Sequence, residues 1–286
     1  MVTSTKGRLA AVAVAAGFAL LYWQVFARLV MDWYHDDNYS HGFLIVPIAV
    51  YFAWERRERL KAEAQTPSVL GLVVVIGSIA VLLAGILGSE LFLTRVSIVG
   101  ALTGTVLFMF GWRHLRILAF PIAFLLLMIP IPAILFNQIA FPLQLLASKF
   151  GEAAMGMADV PVLREGNVLI LANTTLEVAE ACSGIRSLVS LLTLAIVLGY
   201  FSDRRLWVRL FVALSSIPVA VVTNGIRVAG TGIAAHKFGA AAAEGFFHEF
   251  SGWLVFVAAF ALTLAIQRII ALVAPAAAPA PMAASV

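Results

Sequence analysis

Long apolar runs separated by short charged or aromatic stretches make up most of the chain. The first run, from about Leu9 to Val30, follows Lys6 and Arg8. It is too long for a signal peptide and has no convincing cleavage site, so it predicts a signal-anchor helix of spanning length. A polar, aromatic loop from Asp32 to Gly42 comes next. A short run, Phe43 to Trp54, then ends in the charged cluster Glu55 to Lys61.

Further runs are Val69 to Leu87, Leu91 to Phe110, and His114 to about Leu135. In the last of these, Pro121 predicts a kink and the Pro130/Pro132 pair a helix end. Phe136 to Met157 is amphipathic and interrupted by Pro142, which suits an interfacial or re-entrant helix better than a full span. Three more runs follow, from Leu188 to Phe201, Leu206 to about Ala235, and near Trp253 to Ala271.

Between Val160 and Val178 the pattern changes. Two short β-prone stretches flank Glu165-Gly166-Asn167, and Asn173-Thr174-Thr175 is a second turn signal. This predicts a small β-hairpin or meander outside the lipid. The fold expected is therefore an all-α polytopic membrane protein of about eight transmembrane helices carrying that β element. Residues 1–272 read as one transmembrane domain, and 273–286 as a disordered Pro/Ala-rich tail.

Composition agrees with this reading. Hydrophobic residues make up 62% of the chain and charged residues 12%, and mean hydropathy is +1.01. A soluble domain carries about twice that charged fraction. The net charge of +4 lies mostly in short loops, where it sets topology and gives no reason to expect a nucleic-acid partner. With both termini in the cytoplasm, Lys6/Arg8, the 56–61 cluster, Arg113/Arg116, Arg204/Arg205/Arg209 and Arg268 all fall inside. The opposite side then holds the His35–His41 loop, the β element, the only cysteine, Cys182, and the loop before Trp253.

Cys182 follows Glu177 and Glu180 and precedes Arg186, at the mouth of a membrane run. A lone cysteine has no internal disulfide partner, and no ligand spacing points to zinc. Its bland reading is a small buried hydrophobe. Arg227 lies well inside an apolar run, where an arginine costs about 2.5–3.5 kcal/mol on insertion scales and so marks a functional candidate. Asn224 and Thr231 share its helical face. The alternative is an arginine snorkelling outward or paired with Glu177 or Glu180 for structure. His248 stands at the outer start of the last run, with His236 as a rival and His41 in Ser40-His41-Gly42 less specific. A cysteine, an arginine and a histidine on one side have a chemical logic. The thiolate is the nucleophile, its pKa lowered from about 8.5 by a neighbouring cation. Histidine protonates the leaving amine, and arginine holds the oxyanion or aligns the carbonyl.

The order Ser40-His41-Gly42, Glu165-Gly166-Asn167, Glu180-Ala181-Cys182-Ser183-Gly184-Ile185-Arg186, Asn224-Gly225-Ile226-Arg227-Val228 and His248 resembles the exosortase branch of the exosortase/archaeosortase family. The resemblance runs from about Asp32 to Ile270. It implies a polytopic protein of the bacterial inner membrane acting as a cysteine protease/transpeptidase, with its site on the periplasmic side. The implied partners are exported proteins whose C-terminal signal joins a Pro-Glu-Pro motif, a transmembrane helix and a basic cluster. Carried over by residue, it implies Cys182 as nucleophile with Arg227 and His248, and it favours His248 over His236. Glu177, Glu180, Arg186, Asn224 and His41 are then supporting or substrate-binding candidates, and no cofactor is implied. Members often carry a further C-terminal domain linked to exopolysaccharide production. The chain ends at its Pro/Ala tail, so that role is expected of a separate protein. Two other classes stay open on the residues alone. A transporter would use Arg227, Asn224 and the glutamates as a midplane site, although no inverted repeat is visible. An envelope glycan or lipid transferase would use Glu177, Glu180 and His41 as acid/base groups.

Overall fold

The apolar runs become helices, most of them beginning or ending beyond the hydropathy boundary. The computed structural model describes residues 5–172, 174–178, 185–203, 205–239 and 246–274, with backbone only for 5–8, 10, 11 and 246–249. The chain divides into two compact units, Met1–Leu135 and Phe136–Val286.

The first unit holds α1 (Thr5–His35), α2 (Gly42–Glu55), α3 (Arg57–Ala62), α4 (Val69–Leu87), α5 (Leu91–Phe110) and α6 (Trp112–Phe124), which ends in a 3-10 turn, Leu125–Met128. In lipid no hydrophobic effect drives helices together, so close approach depends on small residues. α4 and α5 follow this rule. A Cβ built at Gly104 would stand 2.7 Å from the backbone nitrogen of Val75, and one at Gly85 would stand 2.8 Å from Cγ2 of Thr94. α1 docks onto this pair through the fully buried Tyr22, whose hydroxyl donates to the Ser97 carbonyl at 3.1 Å. Arg95, one turn into α5, is buried and pairs with Asp32 of α1. Gly111, at φ +90, links α5 to α6 while its backbone bridges to Thr66. A side chain there would be strained and would collide with the Thr66 carbonyl.

The second unit contains most of α7 (Ala133–Met157), a three-stranded antiparallel meander, α8 (Ile185–Ser202), α9 (Leu206–Phe238) and α10 (Phe246–Val273). The strands are β1 (Val162–Glu165), β2 (Val168–Leu171) and β3 (Thr175–Glu177), in the order β1-β2-β3. The first turn is closed by Gly166 at φ +64, a conformation that suits glycine. Leu169, Leu171 and Val178 from the β segment pack with Ala147 and Met155 of α7 and Val228 of α9. Leu191, Ala220 and Ala259 form a separate seam shared by α8, α9 and α10.

The polytopic helical fold and the β meander match expectation, while the span count differs. Among the described residues six helices are long and apolar enough to cross a membrane, or up to seven if the broken α6/α7 pair makes one span. Of the eight runs expected to span, two fall short. α2 has 14 residues, a rise of about 21 Å against a hydrocarbon core of about 30 Å. The run from His114 to Leu135 loses its helix after Met128 and regains it only at Ala133, on either side of Pro130 and Pro132. α6 is assigned as one helix through Pro121.

Candidate functional site

The second unit brings α9, α10 and the β meander together around Arg227. α9 places Asn224 one turn before Arg227, and Asn224 is buried. Gly225, between them, lies flat against Phe150 of α7, where a built Cβ would come within 2.8 Å of the ring-bearing Cβ. That contact fixes the rotation of α9 just where the arginine leaves it. The guanidinium of Arg227 then lies over Gly252 of α10. A Cβ at Gly252 would stand 3.3 Å from Nη2 and 3.4 Å from Cζ. The arginine thus occupies space that any larger residue on this face of α10 would contest.

His248 lies one helical turn before Gly252, at i and i+4 on the same face of α10. Of His248 itself the structure describes the backbone alone. His236, the rival, is on α9 nine residues after Arg227. That spacing puts it about 13.5 Å along the axis and half a turn round the helix, on the opposite face.

Cys182 and Glu180 fall in 179–184, outside the described residues. Val178 is buried in the same cluster as Val228, the residue after Arg227. Its backbone N–H donates to the Asn167 carbonyl at 2.9 Å, and Asn167 Nδ2 donates back to the Val178 carbonyl at 3.4 Å. The turn that carries Asn167 is itself fastened to α7. Ser148 Oγ donates to the Gly166 carbonyl at 2.8 Å, and Arg164 donates to that carbonyl at 3.1 Å while its Nε meets Glu152 at 2.6 Å. On the far side of the segment, buried Ile185 opens α8. The Glu165-Gly166-Asn167 stretch, noted for its turn signal, therefore serves as the clamp that holds the chain entering the cysteine segment.

The remaining candidates are placed as follows. Glu177 is exposed at the end of β3, and Arg186 is exposed in the first turn of α8. His41 belongs to the first unit, before α2, where it is buried with Nε2 3.2 Å from the Leu127 carbonyl. Burial holds its pKa below the ordinary histidine value, offset in part by the Leu127 and Asn38 carbonyls. No cluster of three or more His, Cys, Asp or Glu suited to a metal occurs among the described residues.

Sequence reading missed Ser148, Glu152, Arg164 and Asn167 as a clamp, because their partners are set by tertiary packing. It also did not single out Arg95, which is buried in α5. A charge one turn inside an apolar run was the available signal.

The family model for transmembrane exosortases matches residues 33–265. The chain belongs to the transmembrane exosortase family. No curated protein and no solved structure matches it. The exosortase match covers both units and includes the clamp, Arg227, Gly252 and the cysteine segment. Several apolar helices make this exosortase a multi-pass membrane protein.

Proposed function

We propose that this exosortase is a membrane cysteine protease/transpeptidase, with Cys182 as nucleophile and Arg227 and His248 as its partners. One observation carries the reading beyond family membership: the Arg227 guanidinium rests on Gly252, one helical turn from His248. Chain reach supports it as well. Cys182 is four residues from Val178 and three from Ile185, so covalent geometry keeps it within about 14 Å of one and about 11 Å of the other. Val178 shares a core with Val228, the residue after Arg227, so a thiol reaching Arg227 is compatible with the covalent limits.

The chemistry balances with these three groups. The Cys182 thiolate attacks the scissile carbonyl carbon, forming a C–S bond and a tetrahedral oxyanion, which the Arg227 guanidinium neutralises. His248, protonated, gives its proton to the amide nitrogen as the C–N bond breaks and the C-terminal fragment leaves. The resulting thioester is opened by water or by an amine, whose proton passes to the now neutral His248, and the C–S bond breaks to regenerate the thiolate and the protonated histidine. The substrates proposed are exported proteins with a C-terminal Pro-Glu-Pro motif, a transmembrane helix and a basic cluster. Exposed Glu177, with Glu180 after it, supplies negative charge of the sign that such a basic cluster needs. The setting proposed is the bacterial inner membrane, with both termini cytoplasmic and the site on the periplasmic face.

The test is a co-expressed reporter carrying a Pro-Glu-Pro C-terminal signal, with wild type beside Cys182→Ala and Cys182→Ser at equal expression. Wild type should shorten the reporter while both variants leave it membrane-anchored. A nearly silent Cys182→Ser would sink the proposal, because a serine hydroxyl is a far poorer nucleophile at neutral pH.

A further inference from the structure

A second polar feature lies entirely within the first unit. Between α1 and the α4–α5 hairpin is a cavity of about 610 Å³, with Arg28, Arg95, Gln24 and Ser89 among its polar lining residues. Arg95 is buried and its charge is met by Asp32. Arg28 is exposed, lies within the candidate span Val12–His35, and has no ion-pair partner among the described residues. The cavity thus carries two guanidiniums and, through Asp32, one carboxylate, leaving a net charge of +1 beside a membrane-spanning helix. An uncompensated cation at such a depth is costly, and a bound anion would remove the cost.

The cavity is polar at one end and apolar at the other. Ser89 is in the loop between α4 and α5, where those helices leave the apolar layer. Arg28 precedes the end of α1 by seven residues, a rise of about 10 Å. Leu20 also lines the cavity and is 80% exposed. It is eight residues earlier on α1, about 12 Å deeper along the axis. Polar groups at the membrane boundary with apolar ones below them follow the order of a phospholipid: headgroup, then acyl chain.

We propose that this cavity binds the phosphate of an anionic phospholipid through Arg28 and Arg95, with an acyl chain lying along Leu20. Guanidinium suits the role because its planar donors meet phosphate oxygens in pairs. Free phosphate offers the same oxygens without the chain, so the two sources are separable by experiment. The proposal is independent of Cys182, and its outcome does not depend on processing activity.

The full-length protein would be placed in phosphatidylcholine nanodiscs containing a minor share of phosphatidylglycerol, and lipids retained after release would be counted by native mass spectrometry. Wild type should retain one phosphatidylglycerol in preference to phosphatidylcholine. Arg28→Gln should lower that retention about tenfold, and Arg28→Lys should restore part of it. Arg28 is exposed, so neither substitution removes a packed core group. Added inorganic phosphate should not displace the lipid. Equal retention by wild type and Arg28→Gln, or no preference over phosphatidylcholine, overturns the proposal. Displacement by inorganic phosphate overturns the lipid as its ligand and leaves the free anion.

Discussion

The guanidinium of Arg227 lies against Gly252, with Nη2 3.3 Å from the place a Cβ would take. A helix surface without a side chain is what allows an arginine from α9 to lie flat on α10. The contact separates stability from activity, because glycine is a poor helix former and a larger residue there favours the helix while moving the arginine.

Gly252→Val is therefore expected to cut reporter processing by about 10²-fold, the scale set by a misplacement of about 1 Å. Gly252→Ala needs the arginine to give by only a few tenths of an ångström and should lose less. Neither should lower the protein level in membranes, since alanine in a helix interior gains about 1 kcal/mol over glycine. Quantitative immunoblotting of reporter and enzyme together checks both halves.

The clamp on the cysteine segment makes a second expectation. Asn167→Ala removes the side-chain bond to the Val178 carbonyl, worth about 1 kcal/mol. Gly166→Val forces a branched residue to φ +64, at a cost of about 1–2 kcal/mol. Both should slow processing several-fold and speed hydrogen exchange at the Val178 amide, while α4 and α5 stay protected. Unchanged exchange at Val178 would show that the turn does not hold the segment.

Arg95 and Asp32 form a partly buried ion pair, with side chains 4% and 39% exposed. Asp32→Asn leaves Arg95 without its counter-charge. Because Asp32 is partly solvated, the expected loss is about 2 kcal/mol, below the ~3–5 kcal/mol of a fully buried pair. The thermal midpoint in detergent reads this directly, and Arg95→Met combined with Asp32→Asn should recover much of it.

His41 gives a pH dependence with a definite sign. Its native pKa is lowered from 6.5 by burial, so the unfolded chain takes up the proton more readily. The stability it contributes is complete above about 6.5 and is withdrawn as pH falls toward the native value. Protection factors against hydrogen exchange over residues 36–45, with the intrinsic pH dependence of exchange divided out, should fall on acidification below that point, and His41→Gln should flatten the response. Equal acid sensitivity in the variant would place the titrating group elsewhere.

Much of this architecture was legible in the apolar pattern, because a membrane helix announces itself by length and lack of charge. Boundaries were less so. α10 begins at Phe246 and not near Trp253, since Glu249, Ser251 and Gly252 break a hydropathy run without breaking the backbone ladder. α3 lay hidden in the 56–61 charge cluster, where no apolar period marks it. The meander could be predicted from its turn residues, but not that Asn167 returns to Val178, which depends on strand register. Arg227 stood out by its cost in an apolar run. Its contact with Gly252 did not, because the two residues are 25 apart in sequence and meet only through the rotation of α9 against α10.

The account rests on a covalent intermediate at Cys182, and the most direct measurement is to look for it. Wild type would be incubated with the Pro-Glu-Pro reporter, quenched in acid, digested, and the Cys182 peptide analysed by mass spectrometry before and after hydroxylamine. The account predicts a reporter-derived acyl group on Cys182 that hydroxylamine removes, and that fails to form in Arg227→Gln. Continued shortening of the reporter by Cys182→Ala, or a Cys182 peptide that stays unmodified while wild type processes the reporter, would contradict it.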